Sequence, residues 1–329
     1  MDPLQLVSER QGIWSETANR LKAQYETARW RTFLLSIGGA MLATLASQVS
    51  GGDRKFAALA AALCFAIAAF ITARSLGNQN ATLWLRARAA SEALKKEAFT
   101  YAAGAAPYDD PLTRKSTLNQ ARDEIERSVD EIIGYAAPTG RGSAPKTQLT
   151  PEEYVKNRVE KQIVEYFEPK ANAAQRTAAR LRWVEGFLAL AAAVLSTAAA
   201  VIDKHEFFDI AAIMGVVTTI SSALVAHISA GRYDFTVASY RATARRLRNV
   251  LAEAPESFSA PSPDWSAFVN ECESILWDAN NTWLAKWAKP SEAPATAPSA
   301  KRIAAPTAHP QSAASTSSER VVTLAPPPG

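Results

Sequence analysis

The sequence predicts an all-α integral membrane protein in which four transmembrane helices form two parallel-repeat helical hairpins on long cytoplasmic helical stalks. Three observations predict this. Stretches 32–49, 56–73, 183–202 and 210–228 run 18 to 20 residues without lysine, arginine or aspartate. At about 1.5 Å per residue each spans most of a hydrocarbon core about 30 Å thick. The first pair lies over the second without a gap at an offset of 153 residues, which puts Trp14 on Phe167, Arg29-Trp30 on Arg182-Trp183, Arg88 on Arg241 and Leu94-Lys95 on Leu247-Arg248. That match reads as a tandem duplication. Finally, basic residues crowd one end of each pair, as orientation in a membrane requires.

Averages over the chain hide the pattern. At 329 residues, with 48% hydrophobic residues and a mean hydropathy of −0.10, the composition resembles an ordinary soluble protein, because apolar blocks alternate with strongly polar connections. A net charge of +4 can indicate nucleic acid, but the basic residues lie beside the span ends, where membrane orientation accounts for them. No nucleic-acid partner is expected. Two cysteines, Cys64 in a span and Cys272 in a polar helix, make no disulfide framework, in keeping with a reducing polar side. Residues 1–31 show no cleavable signal peptide, so the first span is read as its own targeting signal.

In chain order, residues 1–12 form an N-terminal segment and 13–103 the first repeat. Trp14, Ala18, Leu21, Tyr25 and Ala28 recur at 4-3-4-3 spacing, one seam of a helix running into the first span. Beyond the second span Leu83, Ala87, Ala90, Leu94 and Tyr101 keep a helical period. A hairpin of spans brings its flanking helices out side by side, so these stripes are expected to face each other as an antiparallel stalk. Residues 104–150 hold a polar helix over about 112–133 and then a breaker-rich linker, 136–150.

The second repeat, 151–289, starts with Thr150, Pro151, Glu152 and Glu153, a hydroxyl N-cap, proline at the first helical position and acids at the positive end of the helix dipole. Pro169 should kink or restart that helix. Phe167, Ala171, Ala174, Ala178 and Leu181 repeat the seam; Tyr233, Val237, Tyr240, Ala244, Leu247 and Leu251 repeat the return stripe. A final helix, capped by Asp264, carries Trp265, Phe268, Cys272, Leu276, Trp283 and Trp287. Residues 290–329, rich in proline, alanine, serine and threonine, read as a disordered tail.

Seven basic residues flank each pair of spans on the stalk side, against Arg54 and Lys55 in the first turn and Lys204 in the second. Both termini and the stalks are therefore expected in the cytoplasm, with the spans in a bacterial inner membrane. An even number of spans per copy makes the repeats parallel, which argues against a transporter built on inverted repeats.

Tyr154, Arg158-Val159-Glu160, Gln162, Tyr166 and Lys170-Ala171, then a basic approach to a hairpin, then Glu271, Glu273, Ile275-Leu276 and Trp283 resemble a SLATT-type two-span effector domain, in a branch of unknown function. The likeness covers about 154–287. The first copy, about 13–101, is similar to the same family through Trp84, Arg88, Glu92 and Leu94-Lys95, but its counterpart has Arg245 where Glu92 stands. The resemblance implies a non-enzymatic membrane effector proposed to form pores in bacterial conflict or stress systems that make or sense nucleotides. Its implied partners are the lipid bilayer, further copies of the chain and a cytoplasmic sensor or nucleotide-signalling protein.

Individual residues are weighed against plainer readings. Gly140 to Thr147 falls one residue short of a phosphate-binding loop, because Pro145 replaces the glycine before the lysine and no strand precedes it; it reads as a linker. Glu185, one turn into the third span, and His227, at the end of the fourth, are candidate interfacial polar residues; both more simply sit at headgroup depth. Gly215, Thr218, Thr219, Ser222 and Ser229 keep one face of the fourth span small and hydroxylated. They are candidates for a pore lining or for close helix packing with each hydroxyl bonded four residues back. Trp30 and Trp183 are interface anchors, and Trp84, well past its span, should pack in the stalk. No catalytic, cofactor-binding or metal-ligating set stands out, and no cofactor is expected. The alternative to an effector is a membrane scaffold that binds a partner through its stalks and conducts nothing.

Overall fold

The computed structural model describes residues 2–201, 210–255, 257–258 and 260–288, which contain helices and no strand. The expected disordered tail and the turn that holds Lys204 lie outside the described residues.

Helix α1 (Pro3–Gln48) runs 46 residues without a break, about 70 Å, and joins the polar seam to the first apolar stretch. Gly51, at φ 72°, turns the chain into α2 (Gly52–Ser75), a left-handed conformation that would strain a side chain. The two helices approach through small residues. Ala57, Ala61 and Ala68 are the buried positions of α2, and a Cβ on Gly39 of α1 would come within 3.0 Å of the Phe65 ring. Phe56, Leu59 and Phe70 instead point outward, about 70% exposed or more. Small inside and large outside inverts a soluble helix pair and suits helices solvated by lipid.

Helix α3 (Asn78–Ala102) returns along the polar half of α1, and the two expected stripes meet: Trp14 and Ala18 pack in one core with Ala87, Ala90, Leu94 and Tyr101. Helix α4 (Arg114–Arg127) is shorter than the polar helix expected over 112–133 and passes into a 3-10 turn (Asp130–Tyr135). Leu118 and Ile132 cap the same core. The linker that follows is an ordered strap along the start of α1. Gln11 Oε1 accepts from the backbone N of Ser143 at 2.9 Å, Ser8 donates to the Ala144 carbonyl at 3.1 Å, and Thr17 Oγ1 accepts from Ala137 N at 2.9 Å. Gly12 and Gly140 let the backbones cross, since a Cβ on Gly140 would stand 2.0 Å from the Gly12 carbonyl oxygen.

The Thr150 start forms as a full capping box: Thr150 accepts from Glu153 N at 3.2 Å and the Glu153 carboxylate accepts from Thr150 N at 2.9 Å. Helix α5 (Pro151–Tyr154) then widens into π-helical turns (Val155–Glu160 and Gln162–Phe167) before α6 (Glu168–Val201). The restart expected at Pro169 is thus a widened approach, which relieves the clash of the ring with the preceding turn. Helix α7 (Ile210–Gly231) and α8 (Tyr233–Glu253) both pack on α6, and α9 (Pro263–Ala288) lies between α8 and α3. With α1 also touching α7, the two halves are joined at both ends.

Among the described residues, three helical stretches are long and apolar enough to cross a membrane: α2, the apolar part of α6 and that of α7. The apolar end of α1, expected as the first span, is not among them. Ser36, Gly38, Gly39, Thr44, Ser47 and Gln48 dilute it, and the helix stops at Gln48.

Candidate functional site

The capping box sets the first turn so that Tyr154 and Arg158, four residues apart, face α9. There the Arg158 guanidinium grips Glu273 with two bonds, Nε to Oε1 at 2.8 Å and Nη2 to Oε2 at 2.7 Å, and Tyr154 donates its hydroxyl to Oε1 at 3.0 Å. Arg158 is 3% exposed and Glu273 fully buried. Phe99 of α3 lies under the guanidinium at 4.4 Å, so all three segments share the pair. Burial, reinforced by Glu273, pushes the Tyr154 phenol well above its usual range; the hydroxyl stays a donor. Burial pushes the adjacent Cys272 thiol up to about 12, which leaves it unreactive.

Beside this pair, α3 presents a second stripe, Trp84, Arg88, Glu92 and Lys95. Arg88 and Glu92 pair at 2.8 Å one turn apart. Burial opposes the Glu92 charge, but Arg88, Lys95 and Arg158 together hold its carboxyl below the usual range. Lys95 has no carboxylate within ion-pair distance among the described residues, and burial pushes its ammonium down to about 8 against partial support from Glu92.

These stripes wall a cavity of about 470 Å³ between the two halves of the chain, within the range of small-molecule sites. It runs from Arg158 and Gln162 to Trp30 and His227, where α1 and α7 become apolar. Six cationic side chains line it: Lys22, Arg29, Arg88, Lys95, Arg158 and Lys170. Lys22 pairs with Glu26 at 3.6 Å, Arg88 with Glu92 and Arg158 with Glu273. Arg29, Lys95 and Lys170 have no carboxylate at that distance among the described residues. Trp84, Trp283 and Trp287 form one aromatic wall, with ring centroids 5.2 to 5.7 Å apart, and Lys22 Nζ stands 5.6 Å above Trp283. The set can hold and neutralise a solute. It offers no nucleophile with an adjacent base, and no metal-binding cluster occurs among the described residues.

The residues singled out from sequence fall mostly elsewhere. Gly215, Thr218, Thr219 and Ser222 are exposed along one face of α7, with Ser229 half-buried two turns on. Thr218 and Thr219 donate to the carbonyls of Met214 and Gly215 at 2.9 and 2.8 Å, the four-back bonding of the packing alternative. His227 is buried and lines the cavity, its ring 4.7 Å from both Trp30 and Phe33. Glu185 is half-buried, and the nearby Arg182 pairs with Asp234 of α8. Trp30 is half exposed and Trp183 largely so, stacked on Phe187 at 6.1 Å. Trp84 packs in the stalk as expected, 1% exposed.

What sequence reasoning missed is the convergence. Arg158, Gln162, Tyr166, Lys170 and Trp283 from one half and Trp84, Arg88, Glu92 and Lys95 from the other carry the family resemblance, and all of them line this cavity. The available signal was a charged stripe at positions 84, 88, 92 and 95 running beside the apolar one. The comparisons with known proteins divide the chain at the same place. Residues 154–283 match the family described as SMODS and SLOG-associating 2TM effector domain 1, and residues 13–116 match a protein family of unknown function, DUF4231. No curated protein and no solved structure matches the chain. Residues 154–283 are thus similar to the SMODS and SLOG-associating two-transmembrane effector domain, SLATT.

Proposed function

We propose that this protein is a non-enzymatic bacterial membrane effector that assembles from several copies and permeabilises the inner membrane when a cytoplasmic partner or ligand rearranges its stalks. In this reading the apolar end of α1 is a fourth span, the halves descend from a duplication, and both termini are cytoplasmic. One observation carries it. The face of α7 formed by Gly215, Thr218, Thr219 and Ser222 is exposed on a single chain, and it borders a groove against Ala40, Thr44 and Ser47 of α1. Small, hydroxylated faces are where membrane helices from neighbouring copies approach, and clustered hydroxyls can line a water path once they do.

The competing reading, a scaffold that conducts nothing, draws on the carbonyl bonds of Thr218 and Thr219, which occupy both hydroxyls within the helix. Dye-loaded vesicles of anionic phospholipid separate the two. Dye release from vesicles carrying the full chain, abolished by Thr218→Leu with Ser222→Leu while cross-linked oligomers persist, supports the pore. Vesicles that stay sealed both alone and with the product of the neighbouring gene overturn it in favour of the scaffold.

A further inference from the structure

The cavity between the halves is rich in donors and poor in acceptors, and that imbalance specifies a ligand. Trp84, Trp287 and Asn280 each bring a buried side-chain N–H with no acceptor among the described residues, and all three line the cavity. Trp84 is 1% exposed, so its indole N–H has lost its water, which is costly for a donor left without a partner. The cations with no carboxylate at ion-pair distance among the described residues, Arg29, Lys95 and Lys170, line the same space. Glu26 and Glu92, the two carboxylates on the wall, are already held by Lys22 and Arg88. A cationic ligand is excluded by this field. A neutral apolar ligand would leave the donors unmade.

The aromatic wall narrows the chemistry further. Trp283 is half-buried and lines the cavity, and the Lys22 ammonium, on a side chain about 40% exposed and paired with the half-exposed Glu26, stands over its ring. A flat ring can take that place by stacking on the indole. We propose that the cavity binds a phosphorylated small molecule bearing a planar ring, with its phosphate against Lys95 and Arg88 and its ring on Trp283 in place of the Lys22 ammonium. A phosphate supplies the acceptor oxygens that arginine, lysine and indole donors all lack, and the volume suits one ring and one or two phosphates. Because the walls come from both halves, occupancy ties α3 to α9 and to the π-helical turns that carry Arg158.

The inference goes beyond the effector reading and stands apart from it, because binding is measured without conductance. Calorimetry and tryptophan fluorescence on the full chain in detergent would compare adenosine monophosphate, adenosine, inorganic phosphate and a short-chain phosphatidylglycerol. The first is expected to bind at least about tenfold tighter than either fragment, and Lys95→Gln to weaken it by about tenfold or more, the worth of one charged contact. Lys170→Gln, at an exposed position that cannot unfold the core, is expected to weaken it severalfold.

The pH profile is a further arm. Lys95 is faced by Arg88 and Glu92 on its own helix, Arg158 from the π-helical turns and Glu273 from α9. Its low proton affinity, near pH 8, makes wild-type binding weaken as pH rises from 7 to 9, a dependence that Lys95→Gln removes. No signal with adenosine monophosphate, equal affinity for phosphate alone, or tighter binding of the ringless lipid would each overturn the proposal, the last assigning the site to a headgroup.

Discussion

Helices α3 and α8 hold corresponding places in the two halves, each returning along a long first helix, yet one is interior and the other is surface. Laid over each other at the 153-residue offset, Trp84 falls on Val237, Arg88 on Arg241 and Lys95 on Arg248. In α3 these positions face α9 and the cavity, and Trp84 and Lys95 are buried. In α8 Arg241 and Arg248 are exposed, meeting Gln175 and Glu168 of α6 at the rim. The stripe facing its own partner helix is alike in both: Ala90 and Leu94 are buried, and so are Thr243 and Leu247. The difference arises from α9, which packs on α8 and also on α3. Shifted by the same offset, α9 falls on α4 and the 3-10 turn, which cover only the first half. A repeated pattern thus yields one buried charged stripe and one solvated one, depending on what covers it.

The largest expected effect tests the covering helix. Glu273→Ala leaves Arg158 charged and buried without its carboxylate and removes the acceptor of Tyr154. It should destabilise the detergent-solubilised protein by about 3–5 kcal/mol, read as a fall in thermal midpoint by circular dichroism. A loss below about 1 kcal/mol would mean that α9 does not hold the halves together. Next comes the pair Trp84→Ala and Val237→Ala. The first should cost about 3–4 kcal/mol and the second about 1, because one empties a packed wall and the other trims a half-buried side chain. Equal losses would erase the contrast between α3 and α8.

A third effect has the opposite sign. Burial lowers Lys95 from its usual 10.5 to about 8, so between those values the folded chain binds fewer protons than the unfolded one and stability rises with pH. Below pH 8 the whole penalty stands, on the order of 3 kcal/mol. Lys95→Met should therefore raise the thermal midpoint at pH 7 and flatten the rise between pH 8 and 10.5. Arg248→Met, at the solvated counterpart, should change neither by more than about 0.5 kcal/mol. A lysine kept at a cost to stability is what a binding residue looks like.

Legibility in the sequence followed the physics of each level. The seams at Trp14 and Phe167, the start at Thr150 and the restart near Pro169 depend on local spacing and local hydrogen bonds, and each was readable. The strap was not. Residues 136–150 carry the composition of a loop, and only the crossing of Gly12 and Gly140 and the acceptor on Gln11 show that it is bound down. Nor was the site. Arg158 and Glu273 lie 115 positions apart, and nothing in either neighbourhood says that they meet. The exposed face of α7 was legible as a pattern, because small and hydroxyl residues at helical spacing share a side whatever surrounds them.

By itself the sequence determined the helices, their apolar stretches and the stripe each presents to its nearest partner, because periodicity and capping act within a few turns of one chain segment. Only the tertiary structure decided which charged stripe is buried and where the signature residues of the two halves converge. Burial is a property of what covers a surface, and the cover, α9, is brought to α3 from far along the chain.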